Sequence, residues 1–180
     1  MARPERLLSL NLGMQTVSLA EFEVLPEGGL RLSGFAKSEL IIDPGADATR
    51  PLQIEALAKE LREAVKAKPG AAVNVCLPSQ SVFSRFLKLP GATPVDVESI
   101  VAFEAQQNIP FPIEDVVWNH QIMGDSRNDS WDVALVAIKT EQLNEVLDAA
   151  KRGGLSARNV DVAPMALYNA FRYNYPEVEE

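Results

Sequence analysis

The chain has 180 residues, of which 47% are apolar, and a formal net charge of −8 at pH 7. This length allows one large or two small domains with a sizeable hydrophobic core. The acidic balance argues against nucleic acid or an anionic membrane as the main partner, because both require clustered lysine and arginine. The single cysteine, Cys76, excludes an internal disulfide and fits a reducing compartment. We expect neither a transmembrane helix nor a signal peptide, because no apolar run is long enough and the N-terminus lacks the cleavage pattern.

The first part of the chain predicts the element order β-β-β-α-β. Period-2 alternation and glycine turns predict three strands, at Leu7–Leu12, Thr16–Val24 and Leu30–Leu40. Pro51 fits the start of a helix with an apolar stripe, and Lys68-Pro69-Gly70 ends it. The apolar segment Ala71–Leu77 is typical of a buried parallel strand.

After Pro78 the predicted order changes to β-α-β-β-α-β. The elements are strands at Ser81–Lys88, Val116–Met123, Trp131–Ile138 and Ala157–Val162, with helices at Pro94–Asn108 and Glu141–Lys151. This split βαβ pattern can close a small sheet of its own with two helices on one face. We therefore predict two subdomains rather than one continuous sheet. A last helix begins at Pro164, and we expect its residues Leu167, Tyr168 and Phe171 to face inward.

The helix predicted at Pro94–Asn108 carries one residue that breaks its pattern. Thr93 fits the N-cap position. The apolar stripe consists of Val97, Ile100, Val101 and Ala105. Glu104 points into the same arc, where it either reaches water at the edge of the stripe or is a structural buried carboxylate that accepts hydrogen bonds. We predict the buried carboxylate. The expected donors are the backbone amides of Ile109–Ile113, or the side chain of Arg85 or Asn119.

The end of this helix carries a family resemblance. Residues 103–112 read F-E-A-x-Q-x-I-P-F-P and precede a strand, and this order resembles the PilM-type proteins of type IV pilus assembly, in the actin-like FtsA/PilM family. The resemblance runs from about Arg6 to Tyr173. It implies an α/β (α+β) fold with an actin-like, ribonuclease H-like subdomain 1A, formed by residues 1–78 and 161–176. A β-α-β-β-α-β subdomain 1C, residues 79–160, is inserted into it, and residues 177–180 form an acidic tail.

Residues 11–16 occupy the position of the first phosphate-binding hairpin of that family. There, an Asp-x-Gly-Ser/Thr sequence lets backbone amides hold phosphate while the aspartate serves Mg²⁺. Here Asn11 stands at the aspartate position, and an amide lacks the anionic charge that Mg²⁺ prefers. The resemblance thus marks a degenerate nucleotide site at Asn11, Gly13, Gln15 and Thr16, whereas the residues alone predict a glycine turn. Members of the family are about twice as long, so we expect ATP and Mg²⁺ only in a longer protein and no cofactor in this chain.

No other residue pattern predicts catalysis or a metal site. His120 is the only histidine and has no second metal-ligating residue near it in sequence. Cys76 has no basic neighbour in sequence to lower its thiol pKa. We therefore predict no catalytic residue and no metal ligand. Phe103, Ile109 and Phe111 are candidates for partner contact, the alternative being core or subdomain-junction residues.

The resemblance implies an interaction or scaffold module without enzyme activity. Its expected partner is the cytoplasmic tail of a PilN-like inner-membrane protein, with self-association as a further expectation. Such a protein is cytoplasmic, peripheral to the inner membrane, and contacts the membrane only indirectly. Two alternatives remain: the N-terminal half of an actin-like ATPase whose site is completed by the other half, or the cytoplasmic domain of a type II secretion protein of the GspL type.

Overall fold

The computed structural model describes residues 5–41, 50–90, 94–123 and 130–178. It is a mixed α/β structure, which confirms the predicted fold class. The elements are β1 (Arg6–Leu12), β2 (Thr16–Val24), β3 (Leu30–Glu39), α1 (Arg50–Ala64), β4 (Ala71–Leu77), β5 (Phe83–Pro90), α2 (Pro94–Asn108), β6 (Val116–Met123), β7 (Ser130–Lys139), α3 (Thr140–Arg152), β8 (Leu155–Val162) and α4 (Ala163–Asn174). Thr93, expected as an N-cap, and the last two residues of the expected acidic tail lie outside the described residues.

A five-stranded sheet with the order β3-β2-β1-β4-β8 forms the larger core. β1 pairs antiparallel with β2 and parallel with β4, so the predicted parallel nature of β4 is confirmed. Alternate residues of these strands are fully buried on the side that α1 covers, among them Leu10, Leu19 and Val75. The helix buries Ile54, Ala58 and Leu61 in return, which is the apolar stripe that the sequence predicts.

A three-stranded antiparallel sheet with the order β5-β7-β6 forms the second core. α2 packs on one face of this sheet through Val97, Val101 and Ala105, which have no exposed surface. Leu135 of the central strand lies opposite them and is equally buried. The stripe predicted for α2 is therefore the face that builds this core.

The strand predicted at Ala157–Val162 was assigned to the wrong sheet. β8 pairs in parallel with β4, and Val75 lies beside Val160 and Leu77 beside Val162. A buried parallel strand such as β4 needs a neighbour on each side to satisfy its backbone, and β8 supplies the second one. One compact unit accordingly holds the described residues up to Pro78 together with Asn144–Ala170, and the other holds Ser79–Leu143 and the described residues from Phe171.

Of the three residues of the last helix, α4, that were expected to face inward, Tyr168 is half-buried and the other two are exposed. Leu167 and Phe171 are 73% and 48% exposed, and Met165 is the buried residue of the helix. The prediction for Leu167 and Phe171 was therefore wrong. Apolar spacing alone indicates which residues share a helix face, but it does not show whether another element covers that face.

Candidate functional site

The turn between β1 and β2 is the position that the sequence analysis singled out as a phosphate-type hairpin. Leu12 and Val17 form the last pair of the ladder, so Gly13, Met14 and Gln15 make the turn. A Cβ atom at Gly13 would lie 2.9 Å from the carbonyl oxygen of Thr16, which is closer than real Cβ contacts allow. Glycine at position 13 is thus required by the turn itself, whatever the turn binds.

The carbonyl groups of this turn are held by neighbouring elements. The guanidinium of Arg50, at the start of α1, donates to the oxygens of Gly13 at 2.9 Å and Met14 at 3.2 Å. The backbone N–H of Leu40 donates to the oxygen of Gln15 at 2.8 Å. The turn is therefore anchored through three successive carbonyls. Sequence reasoning missed Arg50, because no motif in the sequence around it marks it.

The side chains around the turn set what it can bind. Asn11 is exposed and lies beside Ser18 and Cys76 on the neighbouring strands, so it presents a neutral amide at the edge of the turn. Gln15 is exposed and Thr16 is half-buried. In the described part of the chain, no group of three or more His, Cys, Asp or Glu residues could hold a metal ion. The hairpin thus offers amide and hydroxyl groups, and the guanidinium of Arg50 is bound to its carbonyl oxygens.

Cys76, next to Asn11 in the sheet, is not an activated thiol. Its side chain is half-buried in β4, and burial raises the pKa of the thiol, with a further contribution from the negative charge of Asp161. A raised pKa lowers the fraction of thiolate at neutral pH, and the thiolate is the nucleophilic form.

Glu104 of α2, predicted to be mostly buried and to accept hydrogen bonds, is partly buried and has a hydrogen-bond partner. Its side chain is half-buried, and Oε2 accepts a hydrogen bond of 2.7 Å from Nδ2 of Asn108. The same nitrogen also donates to the backbone oxygen of Glu104 at 2.8 Å. None of the expected donors is used, because Asn108 lies one turn further along the same helix and reaches both acceptors. The pair completes the last turn of α2.

The three residues considered for partner contact lie in different environments. Phe103 on α2 is 61% exposed, whereas Ile109 is only 6% exposed and belongs to the core beneath α2. Ile109 is therefore a packing residue and is not available to a partner. Phe111 is half-buried, and the ammonium group of Lys139 lies 4.7 Å from its ring centroid. Phe103 and Phe111 remain as candidates.

Comparison with known proteins establishes the family. The family model of the type IV pilus assembly protein PilM matches residues 9–178. The chain belongs to this family. A solved structure of a PilM–PilN type IV pilus biogenesis complex superimposes with a TM-score of 0.76 at 24% identity, over 97% of this chain and 52% of that one. The cytoplasmic domain of EpsL, an inner-membrane component of the Vibrio cholerae type II secretion system, superimposes with a TM-score of 0.50 at 16% identity, over 88% of this chain and 57% of that one.

These comparisons confirm the family resemblance and the actin-like fold expected from the sequence. The chain spans about half the length of both solved structures. Within the residues that the structure describes, no helix is long and apolar enough to cross a membrane.

Proposed function

We propose that this chain is an interaction module of type IV pilus assembly, which binds the short cytoplasmic tail of a PilN-like inner-membrane protein. The observation that carries the proposal is that 97% of the chain superimposes on the structure of the PilM–PilN complex. In this role the chain lies in the cytoplasm and reaches the inner membrane through its partner. It acts as a scaffold and carries out no reaction of its own.

The surface of the three-stranded unit supports this proposal. Phe103 exposes 61% of its surface on α2, although a helix that packs on a sheet normally turns its large apolar residues inward. Aromatic side chains that stand exposed in this way are common anchors of protein interfaces. The hairpin at Gly13 supports a role without catalysis, because Asn11 gives it no carboxylate for Mg²⁺.

The test is a titration of the 180-residue chain with a synthetic peptide of the cytoplasmic tail of the PilN-like protein from the same organism. We expect saturable binding of this peptide by fluorescence anisotropy and none of a scrambled peptide. Phe103→Ala should weaken the affinity by about tenfold, the size typical of an interface anchor. Phe86→Ala is the matched control, because Phe86 is equally exposed, at 68%, on a strand of the same unit. Equal binding of native and scrambled peptides would overturn the proposal.

The similarity to the EpsL cytoplasmic domain favours a second candidate, a GspL-like role in type II secretion. Its TM-score of 0.50 is well below that of PilM, and the family model is that of PilM. The same titration separates the two, since a GspL-like protein would not prefer a PilN-like tail.

A further inference from the structure

Two turns lie side by side at one end of the five-stranded sheet. The turn between α1 and β4 and the turn between α3 and β8 are joined by a hydrogen bond of 2.8 Å from the N–H of Gly70 to the oxygen of Gly154. The two strands then begin as a pair, with Ala71 beside Leu155. Both turns belong to the same compact unit, and their side chains therefore share one surface.

The side chains of these turns are basic. Residues 64–72 and 149–160 hold five of the 17 lysine and arginine residues of the chain and none of its 25 acidic residues. All five are exposed, and we call them the basic end: Lys66, Lys68, Lys151, Arg152 and Arg158. The acidic residues nearest in sequence are Glu63, which is bound to Arg62 at 3.2 Å, and Asp148. Arg152 is paired with Glu55 at 2.7 Å, whereas among the described residues no ion pair joins the other four to a carboxylate.

Helix capping does not account for this charge. Cations are favoured at the C-terminal end of a helix, and α1 and α3 both end here. That effect is confined to the last turn, so it does not explain Lys68 or Arg158, which lie outside the helices.

Lys66 occupies a position where the fold favours glycine. The N–H of Ala67 donates to the oxygen of Arg62 at 2.9 Å, and the N–H of Lys66 donates to the oxygen of Glu63 at 3.0 Å. These are the two hydrogen bonds of a Schellman motif, which usually has glycine at the position of Lys66. Lys66 has the left-handed φ of 57° that the motif requires, and a side chain there costs backbone strain. Its charge, rather than its backbone, is therefore the reason to look for a partner.

The chemistry of the basic end fits a broad negative surface better than a small anion or a nucleic acid. Backbone carbonyl groups, not N–H groups, point outward at the C-terminal ends of helices, so the backbone does not favour a bound phosphate. Residues 64–72 and 149–160 contain no aromatic side chain on which a base could stack. Clusters of about four to eight lysine and arginine residues are typical of surfaces that bind anionic lipid headgroups.

We propose that the basic end is a membrane-contact surface, which binds the anionic lipid headgroups of the inner membrane. The inference rests on the proposed function for the place of the chain beside that membrane. A chain of net charge −8 held there by a short tail is repelled by anionic lipid over most of its surface, so it turns the basic end toward the bilayer. Carboxylates further away than about 8 Å are largely screened at physiological salt. Weak attraction is sufficient, because the tail raises the effective concentration of the chain at the membrane.

The test measures sedimentation of the 180-residue chain with vesicles. One set of vesicles contains equal parts of phosphatidylglycerol and phosphatidylcholine, and the other contains phosphatidylcholine alone. We expect binding to the first set only, and release as the salt concentration rises. Lys68→Glu and Lys151→Glu should each weaken this binding by about fivefold or more.

Lys37→Glu is the matched control. It makes the same change in net charge at an exposed residue of the same unit. Lys37 lies beside Ser18, in the row of Asn11 and Cys76, and this row is at the opposite end of β4 from Ala71. We expect this variant to bind the anionic vesicles as the wild type does.

Lys66→Gly separates binding from stability. It removes one charge of the basic end but supplies the residue that the Schellman motif favours. Vesicle binding should weaken by about fivefold, while urea denaturation shows no loss in the free energy of unfolding.

Three outcomes would overturn the proposal. They are no binding to the anionic vesicles, equal weakening by Lys37→Glu and Lys68→Glu, and tighter binding of a polyglutamate peptide than of the vesicles, which would assign the basic end to an acidic protein. No PilN-like peptide is present in these experiments, so their failure is distinct from a failure of PilN-like binding.

Discussion

The thiol of Cys76 gives a residue-scale prediction about pH. Burial, and after it the charge of Asp161, raises the pKa of this thiol in the folded chain. Iodoacetamide should therefore alkylate Cys76 more slowly in the folded chain than in urea between pH 7 and 9, a range of ~2 units around the pKa of a free thiol. Asp161→Asn should raise the alkylation rate of the folded chain only part of the way to the rate in urea, because burial is the larger cause of the raised pKa. Asp132→Asn, which removes a charge in the other unit, should have no effect, and equal rates in the folded chain and in urea would contradict the expectation.

The same pKa shift links Cys76 to stability. Because the folded thiol holds its proton to higher pH than the unfolded one, its contribution to the free energy of unfolding is fully present below the pKa of the unfolded thiol. It is lost as the pH rises through the folded value. In urea titrations, the free energy of unfolding of the wild type should therefore fall between pH 7 and alkaline pH relative to that of Cys76→Ala. The cavity left by the substitution lowers the stability of the variant equally at both pH values, so it does not affect this difference.

Glu104 and Asn108 give a second prediction at the scale of residues. Glu104→Ala should lower the free energy of unfolding by less than about 1 kcal/mol, because the carboxylate is half-buried and Nδ2 of Asn108 keeps its bond to the backbone oxygen of Glu104. Asn108→Ala should cost more, about 1–2 kcal/mol, since it removes the donor from both acceptors. Urea denaturation measures both, with the exposed Gln107→Ala as the control. A larger loss for Glu104→Ala than for Asn108→Ala would show that the carboxylate has another role.

This pair also shows what sequence reasoning could predict at this scale. The need of Glu104 for a partner followed from its place in the apolar arc of α2, and it does accept a hydrogen bond. The donor was also within reach, because Asn108 follows it by one helical turn. Sequence reasoning looked instead to donors outside the helix, because it expected the carboxylate to be mostly buried against the sheet. The degree of burial depends on how far α2 rolls over its sheet, and helical spacing does not encode that angle.

Among the elements, the contact of α1 with the turn between α3 and β8 carries a strong constraint. A Cβ atom at Gly153 would lie 2.6 Å from Cβ of Ala58 and 2.7 Å from the backbone oxygen of Glu55. Gly153→Ala should therefore lower the free energy of unfolding by about 2–3 kcal/mol, because the backbone of α1 must shift. Gly70→Ala is the control. A Cβ atom at Gly70 would lie in open space, but the residue has a φ of +76°, so the backbone strain should lower the free energy of unfolding by only about 1 kcal/mol. Equal losses in urea denaturation would mean that the turn moves away from α1 freely.

At this scale the sequence predicted every helix and strand described here, and four of them, β2, β4, α2 and β6, agree to the residue. Hydrophobic period and flanking prolines report local conformation, and both are read directly from neighbouring residues. The pairing of β8 was not predictable in the same way. Its alternation shows that one face is buried, but the choice between β4 and the small sheet depends on residues far away in the chain.

For the whole molecule, the prediction concerns nucleotide. We expect no binding of ATP·Mg²⁺ to the 180-residue chain at concentrations up to about 1 mM in a calorimetric titration, which corresponds to less than about 4 kcal/mol of binding free energy. Asn11 offers an amide instead of a carboxylate, and the chain spans about half the length of the PilM structure that it resembles. Asn11→Asp tests the first reason: if the amide alone prevented binding, this variant would bind, and we expect that it does not. Micromolar affinity of the wild type would contradict the prediction.

The parallel pairing of β4 with β8 has a consequence for how the chain is made. On the ribosome, β4 emerges well before β8, and the residues between them form the whole three-stranded sheet and two helices. Synthesis at about 5–20 residues per second leaves one side of β4 without its neighbour for several seconds. All three strands of the small sheet are synthesised before β8, so they can pair during this delay, whereas the larger sheet must wait for its last strand. A nascent chain stalled before Leu155 should therefore expose an apolar strand that chaperones recognise.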